Sequence, residues 1–379
     1  KPVAFDHYIE NGAQRLRCGY TTGTCAALAA AGAASLLLSG EAPRALSLIT
    51  PKGIPVTVEP VELFWENGAA VCGVAKDGGD DADATDGLVI RARVETIEEP
   101  EIRIDGGEGV GRVTKPGLDQ PPGAAAINRV PRRMIEEQAR RVCDTLGYAG
   151  GLSVCISVPG GEEAAQRTFN PMLGIEGGIS ILGTSGIVEP MSEKALVDTI
   201  AVELRQAAAL GARDVILTPG NYGETFLRDH PQAARGVPVV KCSNFIGDAL
   251  DLAGNRGFSQ VLLVGHAGKL VKLAAGVMNT HSRYADGRAE VFCAHAAVCG
   301  APQSLCQALM QSPSADACLA LLDEASLREA VMASILTAIQ RHLDRRAGGR
   351  FRTGAVLFTN TLGLLGQTTT AKEIIRSWN

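Results

Sequence analysis

Threonine and glycine residues are concentrated at the start of an alanine-rich apolar segment, in the stretch YTTGT at positions 20–24. A helix beginning there leaves its first N–H groups without intrahelical acceptors, and the hydroxyl of Thr22 or Thr24 can cap one of them. The same N–H groups, with the hydroxyls of Thr21, Thr22 and Thr24, can also hold a carboxylate. The pattern therefore predicts a helix N-cap, a ligand contact, or both.

The run KDGGDDADATDG (76–87) concentrates aspartates around two glycines. Asp81, Asp83 and Thr85 have the spacing that opens a calcium-binding loop. The sixth position of such a loop is Asp86 instead of glycine, and the twelfth is Ala92 instead of glutamate, which argues against calcium. Composition alone favours a solvated acidic turn between two strands.

Two segments offer cations to an anionic ligand. In DGGEGVGRVTKPG (105–117) the glycines alternate and do not form a dinucleotide fingerprint, but backbone N–H groups with Arg112 and Lys115 can bind an anion; a plain turn is the alternative. In NRVPRRM (128–134) three arginines surround a predicted helix start, where the helix dipole disfavours them. Arg129, Arg132 and Arg133 can bind carboxylates or phosphates bidentately. Pairing with the glutamates at 136 and 137 is the equal alternative.

Glycine-bearing loops follow three apolar strands, at 158–161, 218–223 and 264–269. In a parallel sheet, ligands bind beyond the carboxyl ends of the strands, so these loops are predicted ligand loops. His266 lies in the last of them and can act as an acid, a base or a hydrogen-bond donor. A structural role is the alternative reading of this histidine.

The predicted elements divide the chain into two domains. Strand-like runs mixed with two helices indicate an α+β domain over residues 1–149. From residue 150, strands alternate with helices, which indicates an α/β domain with a mainly parallel sheet over 150–379. The predicted strands are 45–50, 55–63, 69–75, 88–95, 152–158, 214–220, 236–243, 259–269 and 351–360. The predicted helices are 24–38, 131–147, 191–211, 245–257, 270–282, 303–311 and 315–346.

Composition excludes several classes of protein. A net charge of −5 without a basic stripe, and few aromatic residues, argue against nucleic-acid binding. The ten cysteines include no C-x-x-C pair, so buried thiols of a cytosolic protein explain them better than a zinc site. No apolar run reaches the roughly 20 residues of a membrane span, and the phosphate-loop motif is absent. The sequence predicts a cytoplasmic protein without membrane contact.

Eight ordered blocks between residues 19 and 283 resemble the cobalt-precorrin-5B C1-methyltransferase (CbiD) family. They are GYTTGTCAALAA, ITPKG, VAKDGGDDADATDG, GGEGVGRVTKPGL, AINRVPRRMI, LGTSGIVEPMSEKAL, GNYG and VGHAGKLVKLAAGVMNTHSR. The resemblance implies transfer of a methyl group from S-adenosylmethionine to carbon 1 of cobalt-precorrin-5B, giving cobalt-precorrin-6A, in anaerobic cobalamin biosynthesis. It also implies an α+β domain followed by a Rossmann-like domain. The last hundred residues carry little of the resemblance.

The resemblance suggests site residues by position. The predicted substrate-binding residues are Thr21, Thr22, Thr24, Asp80, Asp81, Arg112, Lys115, Arg129, Arg132 and Arg133. Of these, the threonines, the arginines and the lysine are expected to bind the carboxylate arms of the corrin precursor. The predicted cofactor-binding residues are Gly183, Thr184, Ser185, Gly186, Glu189, Gly220, Asn221, Tyr222, Gly265 and Gly268. Either Glu189 or an aspartate of 77–86 is expected to bind the adenosyl ribose, and His266 is the catalytic candidate. Cobalt arrives with the substrate, so no protein-bound metal is expected; a homo-oligomer is compatible with the resemblance.

Two other functions remain open from the sequence. A small-molecule kinase can hold ATP phosphates with a turn such as residues 19–25 before an alanine-rich helix. A non-catalytic corrinoid carrier would bind its ligand without methyl transfer. Ligand loops at several strand ends favour two ligands meeting, and hence an enzyme.

Overall fold

The computed structural model describes residues 5–11, 14–230, 233–234 and 236–379. The chain forms two compact units, residues 1–192 and 193–379. Both units combine helices and strands, so the fold is of the mixed α/β kind.

The first unit contains short strands, one larger sheet and two long helices. Its strands are β1 (Tyr8–Asn11), β2 (Gln14–Arg17), β3 (Gly19–Tyr20), β4 (Leu46–Ile49), β5 (Pro55–Val58), β6 (Glu62–Glu66), β7 (Ala69–Ala75), β8 (Val89–Ile97), β9 (Ile102–Gly106), β10 (Gly109–Val110), β11 (Arg112–Val113), β12 (Gly151–Ser157), β13 (Ile175–Glu176), β14 (Gly178–Ile179) and β15 (Ile187–Val188). Its helices are α1 (Thr22–Ser39), α2 (Arg129–Leu146), α3 (Gly161–Ala165) and α4 (Asn170–Leu173).

Helix α1 occupies the centre of the first unit because nearly all of its side chains are small and apolar. Alanine is the strongest helix former, Thr21 caps the N-terminus, and Gly40 ends the helix in the left-handed conformation. The helix packs on β7, β8 and α2, and all but its last turns are buried. By length and composition α1 could cross a membrane, but within its unit it is enclosed by protein.

The larger sheet of this unit has the strand order β6–β7–β8–β12–β9. Strand β12 is antiparallel to β8 and parallel to β9, so it lies inside this sheet. The structure therefore divides the chain at residue 192 and not near residue 150. The strand predicted to open the second domain belongs to the first, because its alternating buried residues complete the core beneath α1 and α2.

The second unit alternates strands and helices and ends in a helical segment followed by a hairpin and a helix. Its elements are α5 (Glu193–Ala209), β16 (Asp214–Thr218), α6 (Asn221–Asp229), β17 (Val239–Lys241), α7 (Ile246–Asn255), β18 (Gln260–His266), α8 (Ala267–Leu270), a 3₁₀ turn (Val271–Ala275), α9 (Arg288–Val298), α10 (Gln303–Met310), α11 (Ala315–Glu324), α12 (Arg328–Ala347), β19 (Arg352–Thr359), β20 (Gly363–Gln367) and α13 (Thr369–Ser377).

The sheet of the second unit is mixed, with the order β17–β16–β18–β19–β20. The first four strands are parallel to their neighbours, and β20 is antiparallel to β19. Apolar side chains face helices on both sides: Val215 and Leu217 join one core cluster and Ile216 another. After β16 the chain forms β17 on one side of β16 and then crosses to form β18 on the opposite side of β16. The order of the sheet therefore reverses between β16 and β18, and ligands of open α/β sheets bind at such a switch point.

Two predicted helices differ from the structure. The helix predicted at 270–282 is limited to α8 and the 3₁₀ turn, because Gly276 adopts a left-handed conformation and ends it. The helix predicted at 315–346 is divided into α11 and α12 around Ser326, which has a positive φ of 58°. The elements that were not predicted are helices α3, α4, α6, α9 and α13 and strands β1–β3, β9–β11, β13–β15 and β20. The strand predicted at 259–269 ends at His266, where α8 follows.

Candidate active site

The threonines at the start of α1 hold the segment 180–186 of the same unit. The Thr22 hydroxyl accepts from the Leu182 N–H at 3.0 Å and lies within hydrogen-bond distance of the Ser180 and Leu182 carbonyls. The Thr24 hydroxyl donates to the Gly186 carbonyl at 2.7 Å. The Thr21 hydroxyl caps the Thr24 N–H at 3.2 Å, so the N-cap is Thr21 and not Thr22 or Thr24 as predicted, because the helix begins at Thr22. The contacts of Thr22 and Thr24 with this segment join residues about 160 positions apart in the sequence.

The expected carboxylate cradle is occupied by the chain itself. Besides the capped Thr24 amide, the Gly23 N–H donates to the Leu182 carbonyl at 3.1 Å. The threonine side chains at 21, 22 and 24 are buried, with at most 6% of their surface exposed. These hydroxyls therefore position a loop of the same unit, and a direct contact of Thr21, Thr22 and Thr24 with the substrate stays a prediction.

The segment 183–189 contains the predicted cofactor residues of the first unit. Gly183 has a φ of 125°, and a Cβ at this position would lie 2.4 Å from the Thr21 Cγ2 atom, so only glycine fits. Thr184 is exposed, and the Ser185 hydroxyl accepts from the Ile187 N–H at 3.2 Å within the loop. Glu189 forms an ion pair with Lys52. The predicted contact of this segment with the cofactor stays a prediction.

The acidic run forms a closed loop on β2 and β3 instead of a solvated turn. Asp77 makes a bidentate ion pair with Arg17, at 2.6 and 2.8 Å, and Asp80 accepts from the Arg17 backbone N–H at 2.6 Å. The Asp81 carboxylate accepts from the Met191 N–H at 3.3 Å. Asp80 and Asp81, the predicted substrate contacts, thus both have partners within the first unit.

A buried ion pair stabilises the same loop. Lys76 is buried, and its Nζ lies 2.7 Å from the Asp83 carboxylate, which also accepts from Thr85. Burial opposes ionisation of Asp83, but the Lys76 charge and the hydrogen bonds from Lys76 and Thr85 outweigh it and lower the pKa. Among the described residues, no group of His, Cys, Asp or Glu has an arrangement that could hold a metal ion.

The predicted cations of the first unit differ in availability. Arg112 pairs with Asp105 at 2.9 Å, and the half-buried Arg132 donates to the Ile104 and Ile127 carbonyls. Arg129 pairs loosely with Asp119 at 3.6 Å while 86% of its side chain is exposed.

The remaining two predicted cations are also exposed. Arg133 lies 3.6 Å from Glu137 on the surface of α2, the pairing considered as the alternative, and Lys115 covers Gly174 with its aliphatic chain. The Arg133 side chain is 62% exposed, so Arg133, like Arg129 and Lys115, is accessible to an anionic ligand.

In the second unit, the predicted loops meet at the switch point between β16 and β18. Pro219 and Gly220 connect β16 to α6, which begins with the exposed residues Asn221 and Tyr222. Gly265 packs against Pro219, within contact distance of its ring. The structure therefore brings Gly220, Asn221, Tyr222, Gly265 and Gly268 to one edge of one sheet. Gly183–Glu189 belong to the other unit.

His266 ends β18 and caps α8. Its Nδ1 accepts from the Gly268 N–H at 3.1 Å, so the neutral ring carries its proton on Nε2. Burial lowers the pKa of the imidazole, which favours this neutral form. The ring lies near those of Tyr222 and Phe358, with centroid distances of 6.3 and 6.0 Å. The histidine thus has the structural role considered as the alternative, and a catalytic role for Nε2 stays a prediction.

Sequence reasoning did not single out Lys269 or Thr218. Lys269 donates to the Pro219 carbonyl at 3.0 Å and lies beside Gly220. Thr218 is fully buried at the carboxyl end of β16. Both residues follow or end a predicted strand at a predicted ligand loop, so position alone could have identified them.

Comparison with known proteins identifies the family of the chain. The CbiD family model matches residues 9–190, and the model of the CbiD C-terminal domain matches residues 279–369. A relative from Ruminiclostridium cellulolyticum, named cobalt-precorrin-5B C(1)-methyltransferase, is 48% identical over 94% of this chain and 92% of its own length. A relative of the same name from Alkaliphilus metalliredigens is 39% identical over 98% and 97%.

A solved structure is also similar to this chain. The crystal structure of the cobalamin biosynthesis protein CbiD from Archaeoglobus fulgidus is 30% identical, with a TM-score of 0.40 over 73% of this chain and 86% of that one. The two family models together span most of the sequence, and the relatives match it nearly end to end. The chain therefore belongs to the CbiD family.

Proposed function

We propose that this protein transfers the methyl group of S-adenosylmethionine to carbon 1 of cobalt-precorrin-5B, forming cobalt-precorrin-6A during anaerobic cobalamin biosynthesis. The observation that carries the proposal is the nearly full-length match to relatives named cobalt-precorrin-5B C(1)-methyltransferase, at up to 48% identity. The comparisons support neither the kinase nor the carrier. The proposed compartment is the cytoplasm.

Methyl transfer from S-adenosylmethionine requires few catalytic groups from the protein. A sulfonium donor supplies an activated methyl group: the new carbon–carbon bond forms as the carbon–sulfur bond breaks, and the electron pair returns to sulfur. No covalent enzyme intermediate is needed, so the protein contributes mainly by aligning the two reactants. Buried cysteines are consistent with this, since burial raises the pKa of the Cys25 and Cys242 thiols to about 12 and keeps them neutral.

We assign binding of the methyl donor to the second unit and recognition of the carboxylate arms of the corrin precursor to the first. The switch point between β16 and β18, in a domain that we regard as Rossmann-like, has the glycine-bearing loops that a nucleoside ligand requires. In the first unit, Arg129, Arg133 and Lys115 are exposed and can bind acetate or propionate arms of the corrin precursor.

Ligand binding tests the proposal first. S-adenosylhomocysteine at a hundred times its dissociation constant should stabilise the protein by about 2.7 kcal/mol, whereas ATP with Mg²⁺ should not. The decisive assay follows a labelled methyl group from S-adenosylmethionine into cobalt-precorrin-5B. Stabilisation by ATP alone would support the kinase, and corrin binding without label transfer would support the carrier.

A further inference from the structure

Lys269 is a cation held at the switch point of the second unit. Its Nζ donates to the Pro219 carbonyl at 3.0 Å, which leaves further N–H donors on the same ammonium group. A Cβ added to Gly220 would lie 3.9 Å from this nitrogen. The ammonium group therefore lies beside the turn that connects β16 to α6.

Within the described part of the chain, no carboxylate pairs with Lys269. The ionisable neighbour that favours its charge is Cys242, whose thiol is neutral because burial raises its pKa to about 12. Burial lowers the pKa of Lys269 itself. The nearby Lys272 differs: its Nζ donates to two carbonyls and lies 3.9 Å from Asp286. A partly desolvated cation without a counterion is unfavourable, and an anionic ligand would supply the missing charge.

The N-terminus of α6 is open beside this cation. Gly220 has φ 120° and ψ −176°, a conformation that L side chains rarely adopt, and it directs the chain into a nine-residue helix. The backbone N–H groups of Asn221, Tyr222 and Gly223 have no acceptor among the residues that the structure describes. Such amides and the helix dipole favour an anion.

A buried hydroxyl without a partner lies at the same turn. The Thr218 side chain is fully buried, and its Oγ1 has no hydrogen-bond partner in the described structure. The side chain packs beneath the first turn of α6, because a Cβ on Gly223 would lie 2.7 Å from the Thr218 Cβ. Buried hydroxyls are usually paired, so this one marks a place where a bound group completes the hydrogen bonding.

We infer that Lys269 and the open first turn of α6 bind the carboxylate of the amino-acid arm of S-adenosylmethionine. This inference rests on the proposed function and deepens it. The adenosine part of the donor is uncharged and its amino group is cationic, so the carboxylate is its one anionic group. The corrin precursor also carries carboxylates, and the experiment separates the two sources.

The test compares two ligands that differ only in the carboxylate. Binding of S-adenosylhomocysteine and of its decarboxylated analogue, which keeps the amine, is measured by calorimetry for the full chain and for Lys269→Met. The wild type should prefer the carboxylate ligand, and Lys269→Met should weaken it by about 10- to 100-fold, as expected for a charge-assisted hydrogen bond. The decarboxylated ligand should bind the variant within about threefold of wild type.

Lys372→Met is the matched control, because Lys372 is an exposed lysine of the same unit that lies on α13 and not at the start of α6. It should leave both affinities nearly unchanged. Retained binding of the decarboxylated ligand shows that Lys269→Met is folded. Equal weakening of both ligands would overturn the inference, as would unchanged affinity accompanied by a raised KM for the corrin precursor. Wild-type protein that binds neither ligand and transfers no methyl group would instead overturn the proposed function.

Discussion

The hydroxyl of Thr24 provides a direct test of how the segment 180–186 is held. Valine has nearly the shape of threonine and a similar helix propensity, so Thr24→Val removes little more than the hydrogen bonds of the hydroxyl, to Gly186 at 2.7 Å and with the Thr21 hydroxyl at 3.3 Å. A methyl group cannot approach a carbonyl oxygen to 2.7 Å, and the loop must therefore move away from α1. We expect both lower stability and weaker activity.

The structure sets the size of the loss in the free energy of unfolding that Thr24→Val should cause. Thr24 is fully buried, so its hydrogen bond has no competition from water. The Gly186 carbonyl also accepts from the Thr21 N–H at 3.0 Å and keeps that bond in the variant. The loss is therefore the hydrogen bond to Gly186 and the longer one with the Thr21 hydroxyl at 3.3 Å, together about 1–2 kcal/mol in the free energy of unfolding. For a unit of this size that corresponds to roughly 2–8 °C in Tm.

The assay uses the two tryptophans of the sequence, Trp65 in the first unit and Trp378 in the second. In a Trp378→Phe background, urea unfolding followed by fluorescence reports the first unit through Trp65. Thr57→Val is the control, since its hydroxyl bonds Ser47 on the surface of a hairpin. That change should stay within about 0.5 kcal/mol. If Thr24→Val were no more destabilising than the control, the hydroxyl would not hold the loop.

Three further predictions concern the first unit. Lys76→Met leaves the partly buried Asp83 unpaired and should lower the free energy of unfolding, measured with urea at pH 7, by about 3 kcal/mol. A variant as stable as the wild type would contradict a stabilising role of this ion pair. Because the folded-state pKa of Asp83 is lowered, its stabilisation is present above about pH 4 and lost as the pH falls through that lowered value. Urea midpoints measured from pH 6 to 3 should therefore decline less in Asp83→Asn, and parallel curves would refute the assignment. The Cβ introduced by Gly183→Ala must displace Thr21, whereas Gly177→Ala, at φ 81° with no atom near the added Cβ, bears only backbone strain. In urea unfolding, Gly183→Ala should lower the free energy of unfolding by about 1 kcal/mol more than Gly177→Ala. Equal losses in the two variants would argue against close packing of Gly183 on Thr21.

Local signals in the sequence predicted several long helices and strands of the structure. Helix α1 was predicted at 24–38 and spans Thr22–Ser39, and α2 ends at Leu146, directly before Gly147, the predicted stop. The strand predicted at 69–75 has those bounds. Helix formers, caps and β-branched alternation act over a few residues, so the sequence contains their whole cause.

Breaks inside elements were less predictable. The apolar pattern continues through 315–346, yet Ser326 takes a positive φ and divides the helix. The pattern at 270–282 is likewise interrupted at Gly276. Periodicity indicates which residues face a core, but packing against other helices determines where a chain must turn.

By itself, the sequence determined the family, the class of chemistry and most of the local elements of this protein. Only the tertiary structure decided that β12 completes the first sheet, that the threonines of α1 hold a loop about 160 residues away, and that the acidic run pairs with Arg17 and Lys76. It also decided that Lys269 lies beside the open end of α6 without a counterion among the described residues. These features depend on which distant groups reach a polar atom first, and residue type and spacing do not contain that information.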